Sequence, residues 1–478
     1  MTKNNLIITI AILIIINFGC KIPAKTTSQD LLPIPASFQL KKDSVNINSI
    51  SRDMFFKNME LKNLIDTALS NNIDLKIAIQ RIAAARASVS MANGITKPSL
   101  DLITSTGIEK FGNYTMNGIG NYDMNLSPNV NKDQQIPRNM PDFFLGFRSS
   151  WEADIWGKLS SRKKAAALRL LASEKGRQWL STQIIATVAS FYYELLALYK
   201  EEEIILKNIE LQENAVQVVK AQKEGGRATE LAVQQFSAQL VGTKSYLYLI
   251  RQYIEQNQNS LNSITGKFNQ PISKQTTIDE EALPSIIESG IPSQLLSNRP
   301  DLQEAELLLS ASGADIEATR KAFLPSLNIN AFTAINTFNP SFILSPQSLA
   351  YGLVGGLITP VLSKNMLKSN YELAKAAQQE SYLIYQQKII NAFQEVQLNL
   401  KGIENYKEFL KYKTEETQFL KDAVITSKEL YLTGFASYLE VIAAQRGVLD
   451  AEIESVKSRK AIFIYIIDLY KSLGGGLK

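Results

Sequence analysis

The chain offers few residues able to do covalent or acid–base chemistry. Histidine is absent from all 478 residues, and there is a single cysteine. Without imidazole there is no Ser-His-Asp or Cys-His nucleophile system, no His general base, and few routes to a zinc site. The 46 acidic residues leave paired-carboxylate catalysis open, yet they are spread over helical faces, where solvated surface accounts for them. There is no P-loop, and no GxGxxG opens a helix after a strand. The net charge of +5 gives no reason to expect a nucleic-acid partner. These features argue against an enzyme, and they assign no catalytic residue, no cofactor and no metal.

The cysteine, Cys20, has no partner for an internal disulfide, and its position carries the information. Lys3 precedes an apolar run from Leu6 to Ile16, followed by Asn17-Phe18-Gly19-Cys20. A charged start, an apolar segment too short to span a bilayer and a small residue before the cut make residues 1–19 a signal peptide. A cysteine just after such a segment resembles a bacterial lipobox, with Asn17 where a Leu is usual. Lipid attachment is therefore expected at Cys20, with acyl chains holding the mature chain to a membrane. Lys21 next to it, rather than Asp, is compatible with delivery to the outer membrane. Residues 20–54, with Pro23, Pro33 and Pro35 among polar residues, read as a lipidated tether.

The elements that follow come twice. Asn71-Asn72-Ile73-Asp74-Leu75 leads to Lys97-Pro98-Ser99-Leu100, and Asn298-Arg299-Pro300-Asp301-Leu302 leads to Leu324-Pro325-Ser326-Leu327. The offset is constant, 301 − 74 = 227 and 325 − 98 = 227. Each copy reads as a helix, over 59–93 and 302–323, that stops at a proline and turns into a strand. Phe143, Leu145, Phe147, Trp151, Ala153 and Ile155 then alternate with Arg148, Ser150, Glu152 and Asp154 over 143–156. One apolar and one polar face fits a membrane strand with a wet interior. The corresponding strand pair of the second copy covers 325–336 and 351–361.

No proline lies between Pro141 and Pro271 or after Pro360, and helix formers dominate both stretches. Very long helices are predicted over 157–224 and 364–432, each roughly 100 Å at 1.5 Å per residue. Gly225-Gly226 and Gly434 break them, and return helices run over 229–265 and on to 473. The turns align as well, 434 − 226 = 208, and Gly266 falls on Gly474 by the same offset. The smaller offset places a longer inter-strand loop, about 107–141, in the first copy. Two copies give four strands, too few to close a barrel, and an open edge is not viable in lipid. Several chains must then share one barrel above a cylinder of packed helices.

The residues at this point resemble a family, the TolC-like outer-membrane efflux proteins, in the lipoprotein branch that includes OprM, CusC and NodT. Asn298-Arg299-Pro300-Asp301-Leu302 with Ala305-Glu306, Phe323-Leu324-Pro325-Ser326-Leu327, Trp151-Glu152-Ala153-Asp154-Ile155-Trp156-Gly157-Lys158 and Gly434-Phe435-Ala436-Ser437-Tyr438-Leu439-Glu440-Val441 with Ala444-Gln445-Arg446 carry the resemblance. It covers about 55–474. It implies a mainly α fold with a membrane β-barrel portion: a homotrimer with four strands per chain in a shared 12-stranded barrel, on a long periplasmic α-helical barrel. Residues 55–267 and 293–474 would be the two repeats and 268–292 their linker. It further implies an outer-membrane, lipid-anchored exit duct for drugs, metals or other small solutes. A periplasmic adaptor would join it to an inner-membrane pump, usually of the RND class. The adaptor is expected at the tips, Gly225, Gly226, Arg227, Ala228 and Thr229, and Thr433, Gly434, Phe435, Ala436 and Ser437. Leu439 matches an apolar pore constriction. The usual acidic ring position is Ala443 here, and Glu440, one turn away, is the substitute considered. An exit duct for type I protein or peptide secretion shares this fold. A non-transporting coiled-coil lipoprotein would explain the long helices and leave the alternating strands unexplained.

Overall fold

Proline and glycine placement sets where the chain changes direction. The computed structural model describes residues 23–24, 33, 35, 52–272, 276–281, 294–360, 362 and 364–475. Helices α1 (Met59–Asn71) and α2 (Ile73–Gly94) lead to strand β1 (Asp101–Glu109). A loop bearing α3 (Met116–Met124) leads to β2 (Met140–Ala153), followed by α4 (Lys158–Glu224) and α5 (Glu230–Ile264). The order then repeats: α6 (Pro300–Lys321), β3 (Ser326–Thr337), β4 (Leu349–Ile358), α7 (Lys364–Thr433) and α8 (Tyr438–Ser472). The expected single helix over 59–93 is two. Asn72 interrupts it, ends α1 through its backbone, and accepts the Leu75 N–H on its side chain at 3.1 Å. A side-chain cap of this kind restarts a helix and outweighs the continuous apolar periodicity. The loop over 107–141 is more ordered than its Gly and Asn content suggests. Thr115 caps α3 by accepting from Gly118 N, and Asn125 exchanges two hydrogen bonds with the Ile136 backbone, each 2.8 Å.

By internal contacts the chain divides into two units. The first combines Met1–Gln29, Ala84–Leu170 and Leu307–Tyr382; the second combines Asp30–Ala83, Leu171–Glu306 and Leu383–Lys478. The first unit holds one antiparallel sheet in the order β1-β2-β3-β4. Its central seam, β2 with β3, joins the two repeats: Leu145 opposes Ile335, Phe147 opposes Thr333 and Trp151 opposes Ile329. Leu102 opposes Phe147 on one flank, and Ala331 opposes Leu353 and Leu327 opposes Leu357 on the other. Directly opposed residues share a face, so these side chains form one apolar surface, and Leu102, Leu145, Phe147, Leu353 and Leu357 are all exposed. Asp101, Arg148, Ser150, Asn328, Asn330 and Asn336 lie on the other face. Below the sheet, the Trp151 indole donates to Thr96 O at 3.0 Å and the Trp156 indole to Pro325 O at 2.7 Å. Asp154 receives the backbone N–H groups of Leu159 and Ser160 at 2.9 and 2.7 Å. The Trp151–Lys158 motif is thus a strand-to-helix corner whose aspartate caps α4.

The second unit carries the main core. Leu61 and Ile65 of α1 pack with Ile185, Tyr192, Leu195, Leu196 and Ile205 of α4, with Ile250 and Leu261 of α5, and with Tyr470 of α8, all fully buried. Helices of this length have little intrinsic stability per turn in water and depend on such packed apolar stripes.

Candidate functional site

The two helix-turn-helix tips, both in the second unit, are built by the same local chemistry. The chain leaves α4 through Gly225-Gly226, with Gly226 N–H bonded to Lys223 O at 2.9 Å and Arg227 N–H to Gln222 O at 2.8 Å. It leaves α7 through Gly434, with Gly434 N–H bonded to Tyr431 O at 3.2 Å and Phe435 N–H to Leu430 O at 2.8 Å. Gly226 at φ +70° and Gly434 at φ +85° occupy the left-handed region, where a Cβ costs about 1–2 kcal/mol. Thr229 then caps α5 by accepting from Ala232 N at 3.2 Å. Ser437 opens α8, and its backbone N–H donates to the Glu440 carboxylate, a capping box.

The tips differ in surface chemistry. Arg227 and the Lys223–Glu230 ion pair stand at the first, and Lys223 holds the Glu230 carboxyl below its ordinary range. At the second the apex is apolar, with Phe435 85% exposed and Ala436 behind it. A small apolar cluster joins the hairpins: Val216, Val219, Ala232, Val233, Phe236 and Val441, with Tyr431 and Tyr438 at its edge. The Tyr431 hydroxyl donates to Gln222 Oε1 at 2.6 Å, directly linking α7 to α4. Burial pushes the Tyr431 pKa up, which keeps the hydroxyl a donor.

Leu439 is 53% exposed on α8, and Ala443, one turn further along, is exposed on the same side, while Val441 is buried. Glu440 is committed to the N-terminus of its own helix through the capping box, so its carboxylate has a structural task in this chain. Its counterpart in the first repeat (440 − 208 = 232) is the buried Ala232. Cys20 lies outside the described residues, as does most of the 20–54 tether. Ala24 is described, and its carbonyl accepts the Tyr371 hydroxyl at 3.1 Å near the start of α7. Among the described residues, no group of three or more His, Cys, Asp or Glu could hold a metal ion.

One cluster had no sequence reading as a buried site. Arg299 is 2% exposed and donates through Nε and Nη2 to both Asp301 oxygens at 3.0 and 2.8 Å. Its Nη1 reaches Glu395 at 2.7 Å and Ser472 O at 3.3 Å, and the guanidinium lies 5.0 Å from the Trp179 ring centroid. Asn72 is the first-repeat equivalent (299 − 227 = 72), and it donates to Ile264 O at 3.0 Å, the equivalent carbonyl (472 − 208 = 264). The repeat therefore extends to individual contacts. A carboxylate two residues after an arginine, across a helix-starting proline, was the available signal.

Comparison with known proteins places this geometry in context. The family profile described as outer membrane efflux protein matches residues 64–267 and 291–475. The cation efflux system protein CusC of Escherichia coli O6:H1 (strain CFT073) is 26% identical over 464 residues, 96% of each chain. The pyoverdine export outer membrane protein OpmQ of Pseudomonas putida KT2440 is 27% identical over 423 residues, 88% of this chain and 87% of OpmQ. A crystal structure of CusC superposes with a TM-score of 0.81 at 24% identity, covering 94% of this chain and 99% of that one. The fold is shared along nearly the whole length.

Proposed function

The chain belongs to the outer membrane efflux protein family, and we propose that it is the outer-membrane channel of a tripartite efflux system, a passive exit duct. The observation that carries this reading is the four-stranded sheet with one exposed apolar face and one polar face. In lipid, the unpaired outer edges of β1 and β4 must find partners, because unsatisfied backbone groups there cost several kcal/mol each. A neighbouring copy supplies them. Three copies give a closed barrel of 12 strands with the apolar face to lipid and the polar face to a wet lumen. The α4–α5 and α7–α8 hairpins would form the periplasmic tunnel.

The tips around Gly225–Thr229 and Thr433–Ser437 would dock a periplasmic adaptor, which joins the duct to an inner-membrane pump of the RND class. The pump supplies the energy. Leu439 would narrow the closed end, and opening would be a small untwisting of the tip helices. The exposed side of α8 carrying Leu439 and Ala443 would make the constriction apolar there, and the exposed Glu440, still a carboxylate while it caps α8, would add an acidic group beside it.

The anchor at Cys20 is supported by chain length. Cys20 is four residues from Ala24, no more than roughly 14 Å at full extension, and Ala24 touches α7 seven residues after its start. That keeps the lipid within reach of the membrane end of the helix. In this reading residues 1–19 are removed, 20–54 form the tether, 55–267 and 293–474 are the repeats, and 268–292 connect them. CusC belongs to a cation efflux system and OpmQ exports pyoverdine. Cargo choice in such machines rests mainly with the pump.

The test is purification from outer membranes. A trimer in detergent that conducts ions in a planar bilayer is expected; a stable soluble monomer would sink the proposal.

A further inference from the structure

The polar face of the sheet also carries apolar side chains, Ile103, Val354 and Ile358 among them, and one aromatic pair. Phe144 of β2 and Phe332 of β3 lie on it, with ring centroids 6.5 Å apart and planes at 44°. Between them Gly146 opposes Ala334, and both are buried. A Cβ on Gly146 would stand 2.2 Å from the Ala334 Cβ, and one on Gly352 of β4 would stand 2.5 Å from Phe332 Cε1. The Phe332 ring therefore lies along the sheet over Gly352, and Phe332 remains 38% exposed. Directly opposite Phe332 on β2 is Arg148. Its side chain is exposed, and among the described residues it makes no hydrogen bond or ion pair, although Asp101 opposes it on β1. Ser150 and Asn330 continue the same face with groups that bond to water or solute.

A wall that must pass polar solutes gains nothing structural from an unpaired guanidinium. The cation is always charged and presents a planar fork of donors. An aromatic surface beside it offers stacking or edge contact. Together they match a planar ring bearing an anionic group. We propose that Arg148, Phe332 and Phe144 form a contact site for aromatic anions on the channel wall, one per protomer, where such solutes rest during exit. The proposal rests on the duct reading, which turns this face to the lumen. β2 and β3 are the two central strands of the sheet, so the site is complete within one chain and stands clear of the edges where copies join.

The experiment is single-channel recording of the purified protein in planar bilayers, with naphthalene-2-sulfonate added from the side of the β1–β2 loop. Methanesulfonate, with the same charge and no ring, is the control. The wild type is expected to show concentration-dependent block by the aromatic anion and none by methanesulfonate. Arg148→Gln is expected to raise the blocking concentration about tenfold, the scale of one charge-assisted hydrogen bond. Phe332→Leu, which keeps an apolar side chain over Gly352, is expected to raise it about threefold, the scale of a lost ring contact. Conducting channels that are not blocked, that are blocked equally by methanesulfonate, or whose block is unchanged in either variant overturn the site. A protein that never conducts, even with its tips loosened by Tyr431→Phe, overturns the duct reading instead, and the site with it.

Discussion

At the scale of single residues, the structure separates glycines that serve a turn from glycines that serve a contact. Gly434 has a left-handed backbone with open space where a Cβ would go, whereas at Gly474, φ +106°, a Cβ would stand 2.4 Å from Asn298 O. Gly434→Ala is expected to cost about 1 kcal/mol, the conformational term alone. Gly474→Ala is expected to cost several times more, because backbone must move. Unfolding midpoints of the two variants, measured side by side, check the ranking. Asp301 poses a sharper case. Removing its carboxylate leaves Arg299 buried with only the half-exposed Glu395 as a charged partner. Asp301→Ala is expected to destabilise by about 3–5 kcal/mol, the usual cost of breaking a buried ion pair. A loss under 1 kcal/mol in chemical denaturation would mean that the pair is dispensable. The buried ion pair was not legible beforehand: a charged residue reads as surface until the packing that covers it is known, and that packing comes from α7, α8 and Trp179, far away in sequence.

Elements were the most legible scale. Proline-free, alanine- and leucine-rich runs gave α4 and α7 to within a residue or two, because helix formation is local. The Asn72 break and α3 were missed, since each depends on one or two capping side chains. The pairing of β2 with β3 links residues more than 170 positions apart, and nothing local specifies it. Between elements, Tyr431→Phe removes the α7-to-α4 hydrogen bond and is expected to loosen the tips by about 1 kcal/mol. Hydrogen exchange should quicken over 216–236 and 428–441 and stay unchanged in the β-strands. Within α4, burial pushes the Glu201 carboxyl up to about 7, from 4.5, with Lys457 and Lys460 opposing the shift and Glu194 and Glu454 adding to it. Below about pH 4.5 both folded and unfolded chains hold this proton. Between there and about 7 the unfolded chain releases it while the folded chain keeps it, so stability falls as pH rises, by up to about 3 kcal/mol. Glu201→Gln should match the wild type at pH 4 and exceed it at pH 8, a difference that denaturation in detergent at both values would read.

The whole molecule joins two solvents. Among the described residues no helix is long and apolar enough to cross a membrane. The membrane-facing surface belongs to four strands, and one chain cannot close them. The sequence carried this in its alternation and its count of strands. It could not carry the partner copies' register, because β1 and β4 end in unpaired edges that only assembly defines. With strands holding the protein in the bilayer, Cys20→Ala is expected to abolish lipid labelling while the trimer still fractionates with the outer membrane; its loss to the soluble fraction would show the lipid to be the principal anchor. The duplicated helix junction at Asn72 and Arg299 has one more consequence. The first copy meets its carbonyl with the neutral amide of Asn72, the second with Arg299 bound to two carboxylates and set against an indole. Losing the amide strands no charge, whereas losing any partner of the arginine does. Of the two copies, the first can exchange its amide for another capping side chain, whereas the second is tied to its arginine. A saturation library should find position 72 tolerant of Asp, Ser and Thr, which can still cap α2, and position 299 closed.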